Sequence, residues 1–197
     1  MLALVSVGVL VLAAAWPLRD RMPAFVVTLA LAAAVLALLG ATGKARTATM
    51  LPPILITFAI AWQFAASLAP AHTPLIRRIV VALDPQALVI PGVLDYTRRV
   101  TLLWAVVLGG LCVVNTLLAL LAVPDGFLHA VGVEPIVAVP LAGWSLFANV
   151  INYVVIAGLF VGEFLYRRTR FPQQPFRGFG DFLGRMSRLD PSFWRGR

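Results

Sequence analysis

Charged residues are scarce in this chain. Only 12% of its 197 residues are Asp, Glu, Lys or Arg, whereas a soluble domain contains about 25%. Apolar residues make up 61% of the chain, and its mean hydropathy is +0.94. A water-soluble fold of this size has too much surface to hide so many apolar side chains. The composition therefore excludes a soluble domain and indicates that a lipid bilayer surrounds most of the chain.

Cysteine and the common catalytic motifs are also rare or absent. Cys112 is the only cysteine and lies within an apolar run, which excludes an internal disulfide and a site with several thiolate ligands. The sequence contains no glycine-rich nucleotide loop, no zinc-ligand cluster and no serine-hydrolase motif. We therefore predict no metal, no cofactor and no catalytic residue, and favour a protein that is not an enzyme.

Five apolar runs approach the length of a membrane-spanning helix, which needs about 20 residues. The first run is short but holds no charge, and the third opens with Pro52-Pro53, which the first turn of a helix tolerates. We predict an all-α, polytopic membrane protein in which residues 1–166 form one helical bundle and residues 167–197 form a tail. The predicted spans are residues 2–16, 24–40, 50–68, 100–123 and 142–166.

The basic residues are distributed unevenly among the connections. Residues 17–23, residues 69–99 and the tail hold 14 of the 16 basic residues, and residues 124–141 hold none. Basic residues concentrate on the cytoplasmic side of membrane proteins, so this pattern predicts an outside N-terminus and a cytoplasmic C-terminus. The net charge of +8 is then explained by anionic lipid rather than by nucleic acid. Cleavage of the first run as a signal peptide would reverse this distribution, and no basic residue precedes that run.

Two basic segments are expected at the inner leaflet. Residues 74–83, within the cytoplasmic connection 69–99, form either an interfacial helix with arginines beside an apolar surface or a loop tucked against the bundle. The tail alternates arginine with aromatic residues, which is typical of the headgroup region and would also suit a protein partner or single-stranded nucleic acid. Its nearness to the membrane favours lipid. The residues predicted to contact headgroups are Arg77, Arg78, Arg98, Arg99, Arg167, Arg168 and Arg170.

Polar residues within the predicted spans share helical faces. In the fourth span, Trp104, Leu108, Leu111 and Asn115 recur every three or four residues. In the fifth span the same rhythm joins Asn149, Asn152, Tyr153, Ile156, Phe160 and Glu163. Depth along the two helices predicts a hydrogen bond from Asn115 to Asn149 or Asn152. Such amides serve either as contacts between helices or as part of a ligand site, and the first interpretation is favoured.

Glu163 is the only acidic residue inside a predicted span. Burial of a charge in a bilayer is costly, so an intramembrane acid is a candidate functional residue. Arg167 follows four residues later, which is the favourable order for an ion pair along a helix. Gln63 is expected at a similar depth and offers the alternative of a polar pocket. The predicted polar intramembrane face therefore consists of Gln63, Asn115, Asn149, Asn152, Tyr153 and Glu163.

Two groups of residues carry a resemblance to a known family. The first is Tyr96-Thr97-Arg98-Arg99-Val100-Thr101-Leu102-Leu103-Trp104 followed by Asn115, and the second is Trp144, Asn149, Tyr153, Phe160, Gly162-Glu163 and Arg167-Arg168. Over about residues 74–170 the chain resembles a family of small bacterial inner-membrane proteins encoded in aryl-polyene (xanthomonadin-type) pigment clusters. These clusters carry enzymes like those of fatty-acid synthesis. The resemblance implies a multi-pass protein of the bacterial inner membrane in such a pathway.

The resemblance implies a pathway and not a reaction. Members of the family are sometimes labelled ketosynthase, but ketosynthases use a cysteine nucleophile and two histidines in a large soluble α/β fold. This chain is short, and its only cysteine lies in a predicted span.

Three functions remain as hypotheses. The first is a non-enzymatic accessory protein that holds soluble synthase enzymes, an acyl carrier protein or an acyl chain at the inner leaflet. The second is a small transporter or flippase subunit for a hydrophobic product. The third, a membrane transferase, has the weakest support because no acid–base pair or nucleophile can be placed.

Overall fold

The structure is a computed structural model that describes residues 45–171 together with Gly180 and Gly184. The described part is mostly helical, in agreement with the predicted fold class. The predicted spans 2–16 and 24–40 and nearly all of the tail beyond Phe171 lie outside the described residues.

The third predicted span is present. A short helix α1, Ala45–Ala48, precedes helix α2, Leu51–Ala66, so the predicted bounds of residues 50–68 hold to within two residues. Pro52 and Pro53 lie in the first turn of α2, where backbone N–H groups have no partner within the helix.

Residues 74–83 form a helix rather than a loop. Helix α3, Leu75–Leu83, is followed after Asp84 by a 3₁₀ helix, Pro85–Val89. Pro74 has no side chain that caps α3. The first N–H groups of α3 are bound from other elements instead, because Leu75 N donates to Ser67 Oγ (3.0 Å) and Ile76 N donates to Thr101 Oγ1 (3.3 Å).

Helix α4, Val93–Leu121, is the longest uninterrupted α-helix among the residues described and starts seven residues before the predicted start at residue 100. The sequence predicts Arg98 and Arg99 in the connection before the span. Both arginines are exposed on the helix instead. Its 29 residues correspond to roughly 43 Å, more than the ~30 Å of a hydrocarbon core, so the helix can extend beyond an apolar layer. Gly92, with a φ of 85°, makes the turn that precedes it.

The connection after α4 brings together the two β-strands found among the residues described. Strand β1, Ala122–Val123, pairs in parallel with β2, Val139–Pro140, in the register Ala122 to Val139. The crossover between them holds a one-turn helix α5, Phe127–Ala130. A parallel pair requires such a crossover of a dozen or more residues.

The fifth predicted span is one long helix with an irregular turn. Helix α6, Leu141–Leu146, continues through a π-helical turn, Phe147–Ile151, into helix α7, Asn152–Arg170. The helix therefore extends four residues past the predicted end at residue 166, into the first residues assigned to the tail.

Within residues 45–171, three helices are long and apolar enough to cross a membrane: Arg46–Ala66, Val93–Leu121 and Leu141–Arg170. Helices of this length and composition indicate a membrane protein.

Contacts among the described residues form two compact units. The first unit comprises residues 45–59 and 108–153, and the second comprises residues 60–107 and 154–171. The first unit is centred on Met50, Ala119, Ala122, Trp144 and Ala148. The second contains a row of rings, in which Phe64 stacks on Trp104 (5.7 Å between centroids) and Trp104 meets Phe160 edge-on (5.9 Å).

Gly126 provides a test of the packing in the first unit. A Cβ at this position would overlap the carbonyl group of Ala122, whose oxygen accepts the Gly126 N–H (3.0 Å). We expect Gly126→Ala to lower the free energy of unfolding by about 1–3 kcal/mol, as overpacking does. Thermal unfolding in detergent measures this loss. Gly110→Ala is the matched control, because a Cβ there meets no atom within 4 Å; equal stability of the two variants would contradict the interpretation.

Candidate functional site

The face predicted on the fourth span is buried. Trp104, Leu108, Leu111 and Asn115 of α4 are all enclosed, which confirms the helical spacing. The same stripe continues towards the start of the helix through Thr101, Thr97 and Val93, which are buried as well. Burial of this one face means that α4 makes its packing contacts along a single line of side chains.

The predicted amide contact is present in the first unit. Nδ2 of Asn115 lies 3.4 Å from Oδ1 of Asn152 and donates a shorter bond to the carbonyl oxygen of Leu111 (2.8 Å). Both asparagines are buried. Oδ1 of Asn115 is enclosed and has no hydrogen-bond partner in the described part of the chain. This contact joins α4 to α7 within the first unit.

Asn149 and Tyr153 do not belong to the buried face, contrary to prediction. Asn149 is exposed and donates to the carbonyl oxygen (2.9 Å) and hydroxyl (3.2 Å) of Ser145, and Tyr153 is 59% exposed. The prediction assumed an even helical period, whereas residues 147–151 form a π-helical turn. Such a turn is wider than an α-helical one and shifts the faces on its two sides. From Asn152 onward, Ile156, Phe160 and Glu163 keep the predicted common side.

The second unit contains a buried polar cluster formed by Tyr96, Glu163 and Arg167. Nη2 of Arg167 donates to Oε2 of Glu163 (2.8 Å), and the Tyr96 hydroxyl donates to Oε1 (2.8 Å). The side chains of Glu163 and Arg167 are each 9% exposed. Both carboxylate oxygens therefore have a donor, as a buried charge requires.

Of the two interpretations of Glu163, the structure contains the ion pair with Arg167. Gln63 is exposed on α2 and does not join the cluster. Arg167 was also expected among residues that contact lipid headgroups, but it is buried and belongs to the cluster.

Aromatic rings surround the cluster. The ring of Tyr96 stacks near Tyr166 (5.9 Å between centroids) and meets Phe171 edge-on (5.2 Å), and the guanidinium carbon of Arg170 lies 5.8 Å from the centre of the Phe171 ring. The sequence did not identify Tyr96 or Phe171 as site residues. Tyr96 lies four residues before the predicted start of α4, and extending the buried stripe by one more turn would have included this part of the helix.

A small cavity of about 40 Å³ adjoins the cluster in the second unit. Tyr96, Thr97, Arg167 and Asp84 are the polar residues along its wall. The other lining residues are apolar and come from α3, the 3₁₀ helix, the turn after it, the start of α4 and the residue after α7: Val80, Leu83, Ala87, Ile90, Val93 and Phe171. The arrangement combines an apolar space with one buried ion pair at its edge.

The remaining predicted headgroup arginines divide into two groups. Arg98, Arg99, Arg168 and Arg170 are exposed. Arg77 and Arg78 are half-buried, and Arg77 donates to the carbonyl oxygen of Leu94 (3.0 Å) across from α3 to α4. All six belong to the second unit.

The described residues offer little for catalysis. Within residues 45–171 no group of three or more His, Cys, Asp or Glu side chains lies close enough to hold a metal ion. Glu163 uses both oxygens in hydrogen bonds. Cys112 is half-buried, with its thiol 3.7 Å from the carbonyl oxygen of Ile54.

Comparison with known proteins gives no relative from which a function could be taken. No protein-family model, no curated protein and no solved structure matches the chain.

The buried ion pair leads to a stability prediction. Arg167→Met leaves the Glu163 charge buried beside a single neutral donor, so we expect a loss of about 3–5 kcal/mol in the free energy of unfolding. Arg168→Met, at an exposed neighbouring position, is the control and should stay within about 0.5 kcal/mol of wild type. The double variant Glu163→Leu/Arg167→Met should recover most of the loss in thermal unfolding, because it removes both charges. A double variant no better than the single one would contradict the charge-compensation argument.

The amide contact predicts a smaller effect. Asn115→Leu removes the bond to Asn152, and we expect it to lower the free energy of unfolding by about 0.6–2 kcal/mol. Asn149→Leu serves as the matched control, because Asn149 is exposed and bonds only within its own helix turn. Denaturation in mixed detergent micelles compares the two variants; an Asn115→Leu protein as stable as wild type would rule out a role for this contact.

Proposed function

We propose that the chain is a non-enzymatic accessory protein of the bacterial inner membrane. It acts in an aryl-polyene or fatty-acid-like biosynthetic pathway, where it holds soluble enzymes or acyl intermediates at the inner leaflet. The pathway comes from the resemblance of residues 74–170, and the mode of action comes from the geometry of the second unit. A single observation carries the proposal. Both carboxylate oxygens of the buried Glu163 have hydrogen-bond donors, whereas four arginines of the same unit are exposed: Arg98, Arg99, Arg168 and Arg170.

The proposed topology has five spans with the N-terminus outside. Its support is the concentration of basic residues in three segments of the sequence and the presence of three helices of spanning length in the described residues. In this topology Arg98, Arg99, Arg168 and Arg170 face the cytoplasm. An exposed positive surface there attracts anionic headgroups and acidic protein partners.

Transport of a hydrophobic product has less support from the polar residues. A polar route would need side chains that face a common space, whereas Asn115 and Asn152 bond to each other and Asn149 bonds to Ser145. The bond between Asn115 and Asn152 is of the kind that holds two helices together, and the bond from Asn149 to Ser145 lies within one helix. The same residues therefore favour an anchored accessory protein.

The exposed arginines Arg98, Arg99, Arg168 and Arg170 form the proposed docking surface, which is tested by removing its charge. We expect Arg98→Gln/Arg99→Gln/Arg168→Gln/Arg170→Gln to reduce the pathway product about tenfold in a complemented deletion strain, because the loss of surface charge weakens encounter with an acidic partner. Product is measured by extraction, and the amount of protein in the membrane by immunoblot. Arg46→Gln is the control: Arg46 is exposed, lies in the first unit and, among the described residues, pairs with Asp125 at 4.0 Å.

The outcomes separate the two functions. Wild-type product from the quadruple variant, at equal protein level, would reject the docking surface. Finished product that accumulates in the inner membrane of the deletion strain, instead of failing to form, would favour the transporter.

A further inference from the structure

We infer that the cavity of the second unit binds the alkyl chain of a fatty carboxylate close to its carboxyl end. This inference rests on the proposed function, because it names the molecule that the accessory protein holds. It depends on the cavity wall, the arginines beside the wall and the exposed apolar residues near it.

The wall of the cavity suits methylene groups better than water. Val80, Leu83, Ala87, Ile90 and Val93 are aliphatic, and Phe171 closes the wall with a ring. A volume of about 40 Å³ exceeds the ~10–15 Å³ that one water needs, but a water also needs two or more polar partners. Polar groups on the wall already have partners: the Thr97 hydroxyl donates to the carbonyl oxygen of Leu94 (2.9 Å), Arg167 donates to Glu163 (2.8 Å), and Oδ1 of Asp84 accepts the N–H of Gln86. The space therefore fits a short stretch of chain held by dispersion contacts.

Two arginines lie beside the cavity wall. Arg77 donates to the carbonyl oxygen of Leu94, next to the wall residue Val93, and its Nε has no hydrogen-bond partner in residues 45–171. The guanidinium of Arg170 lies against the ring of Phe171, another wall residue. The acid among the lining residues, Asp84, already accepts a backbone N–H. This charge distribution is complementary to a carboxylate, which guanidinium groups bind through paired hydrogen bonds.

Exposed apolar residues provide a path for the rest of the chain. Val81 of α3 and Leu94 of α4 follow the wall residues Val80 and Val93, and Val89 at the end of the 3₁₀ helix is 85% exposed. A membrane protein exposes such residues to lipid without loss of stability. A chain whose first methylenes occupy the cavity can therefore continue over these residues into the bilayer.

Photolabelling with a fatty carboxylate tests the site. The full-length protein in lipid nanodiscs is irradiated with palmitate that carries a diazirine near its carboxyl end, and labelled peptides are identified by mass spectrometry. We expect saturable labelling of residues 80–93, with unlabelled palmitate competing about tenfold better than methyl palmitate because the ester lacks the charge.

Matched tryptophan variants place the site. Ala87→Trp fills the cavity and should weaken saturable labelling about tenfold, whereas Ala82→Trp, at an exposed position of α3 outside the wall, should leave it unchanged. Val80→Phe is a second filling variant in case Ala87→Trp lowers the yield of folded protein. Arg170→Gln should remove most of the preference for palmitate over its methyl ester, and Arg46→Gln should not.

Three results would overturn the inference: labelling that does not saturate, filling variants that label like Ala82→Trp, or phosphatidylglycerol competing as well as palmitate. Failure here is distinguishable from failure of the proposed function. Absent binding, together with loss of product in the quadruple arginine variant, rejects the cavity and leaves the docking surface. Saturable palmitate binding by the wild-type protein, together with wild-type product from the quadruple arginine variant, rejects the pathway function alone.

Discussion

The Glu163 carboxylate of α7, which binds Arg167 on the same helix and Tyr96 on α4, joins these two helices within the second unit. A carboxylate in apolar surroundings is stable only where donors reach both of its oxygens. Arg167 supplies one donor from the next turn of α7, and Tyr96 supplies the other from α4. Because Tyr96 and Arg167 also line the cavity, the same two bonds that neutralise the acid set one wall of the candidate binding site.

Uncharged polar groups elsewhere in the described residues also form hydrogen bonds with one another or with the backbone. In the first unit, Asn115 and Asn152 satisfy part of each other's hydrogen-bonding capacity. In the second unit, Pro74 has no side chain that can accept the first N–H groups of α3, and the hydroxyls of Ser67 and Thr101 accept them instead. Thr57, Thr101 and Thr116 each donate to the carbonyl of the residue four positions earlier, so these hydroxyls are bonded within their own helices. Few polar side chains in the described helices lack a hydrogen-bond partner. The exposed arginines and the cavity are therefore the candidate binding groups.

Local spacing in the sequence predicted much of this arrangement. The stripe from Trp104 to Asn115 follows from a period of three or four residues. The pair between Glu163 and Arg167 and the helix over residues 74–83 were each one of two alternatives that the sequence left open. Two features of the structure differ from these expectations, and each difference has a physical cause. The extension of α4 before residue 100 was not predicted, because exposed arginines can lie on a helix that is longer than an apolar layer. Asn149 was misassigned because a π-helical turn has no signature in the hydrophobic period. The cavity was beyond prediction, since its wall brings residues 80–97 together with 167–171, and no spacing rule relates segments so far apart.

The way in which α3 begins has a consequence for the order of assembly. Nine residues are too few for a helix to be stable alone in water, and the hydroxyls that receive its first N–H groups belong to Ser67, before it in the chain, and Thr101, after it. During synthesis α3 emerges before Thr101 exists. The N–H of Ile76 can therefore reach its acceptor only after the first turns of α4 have been synthesised.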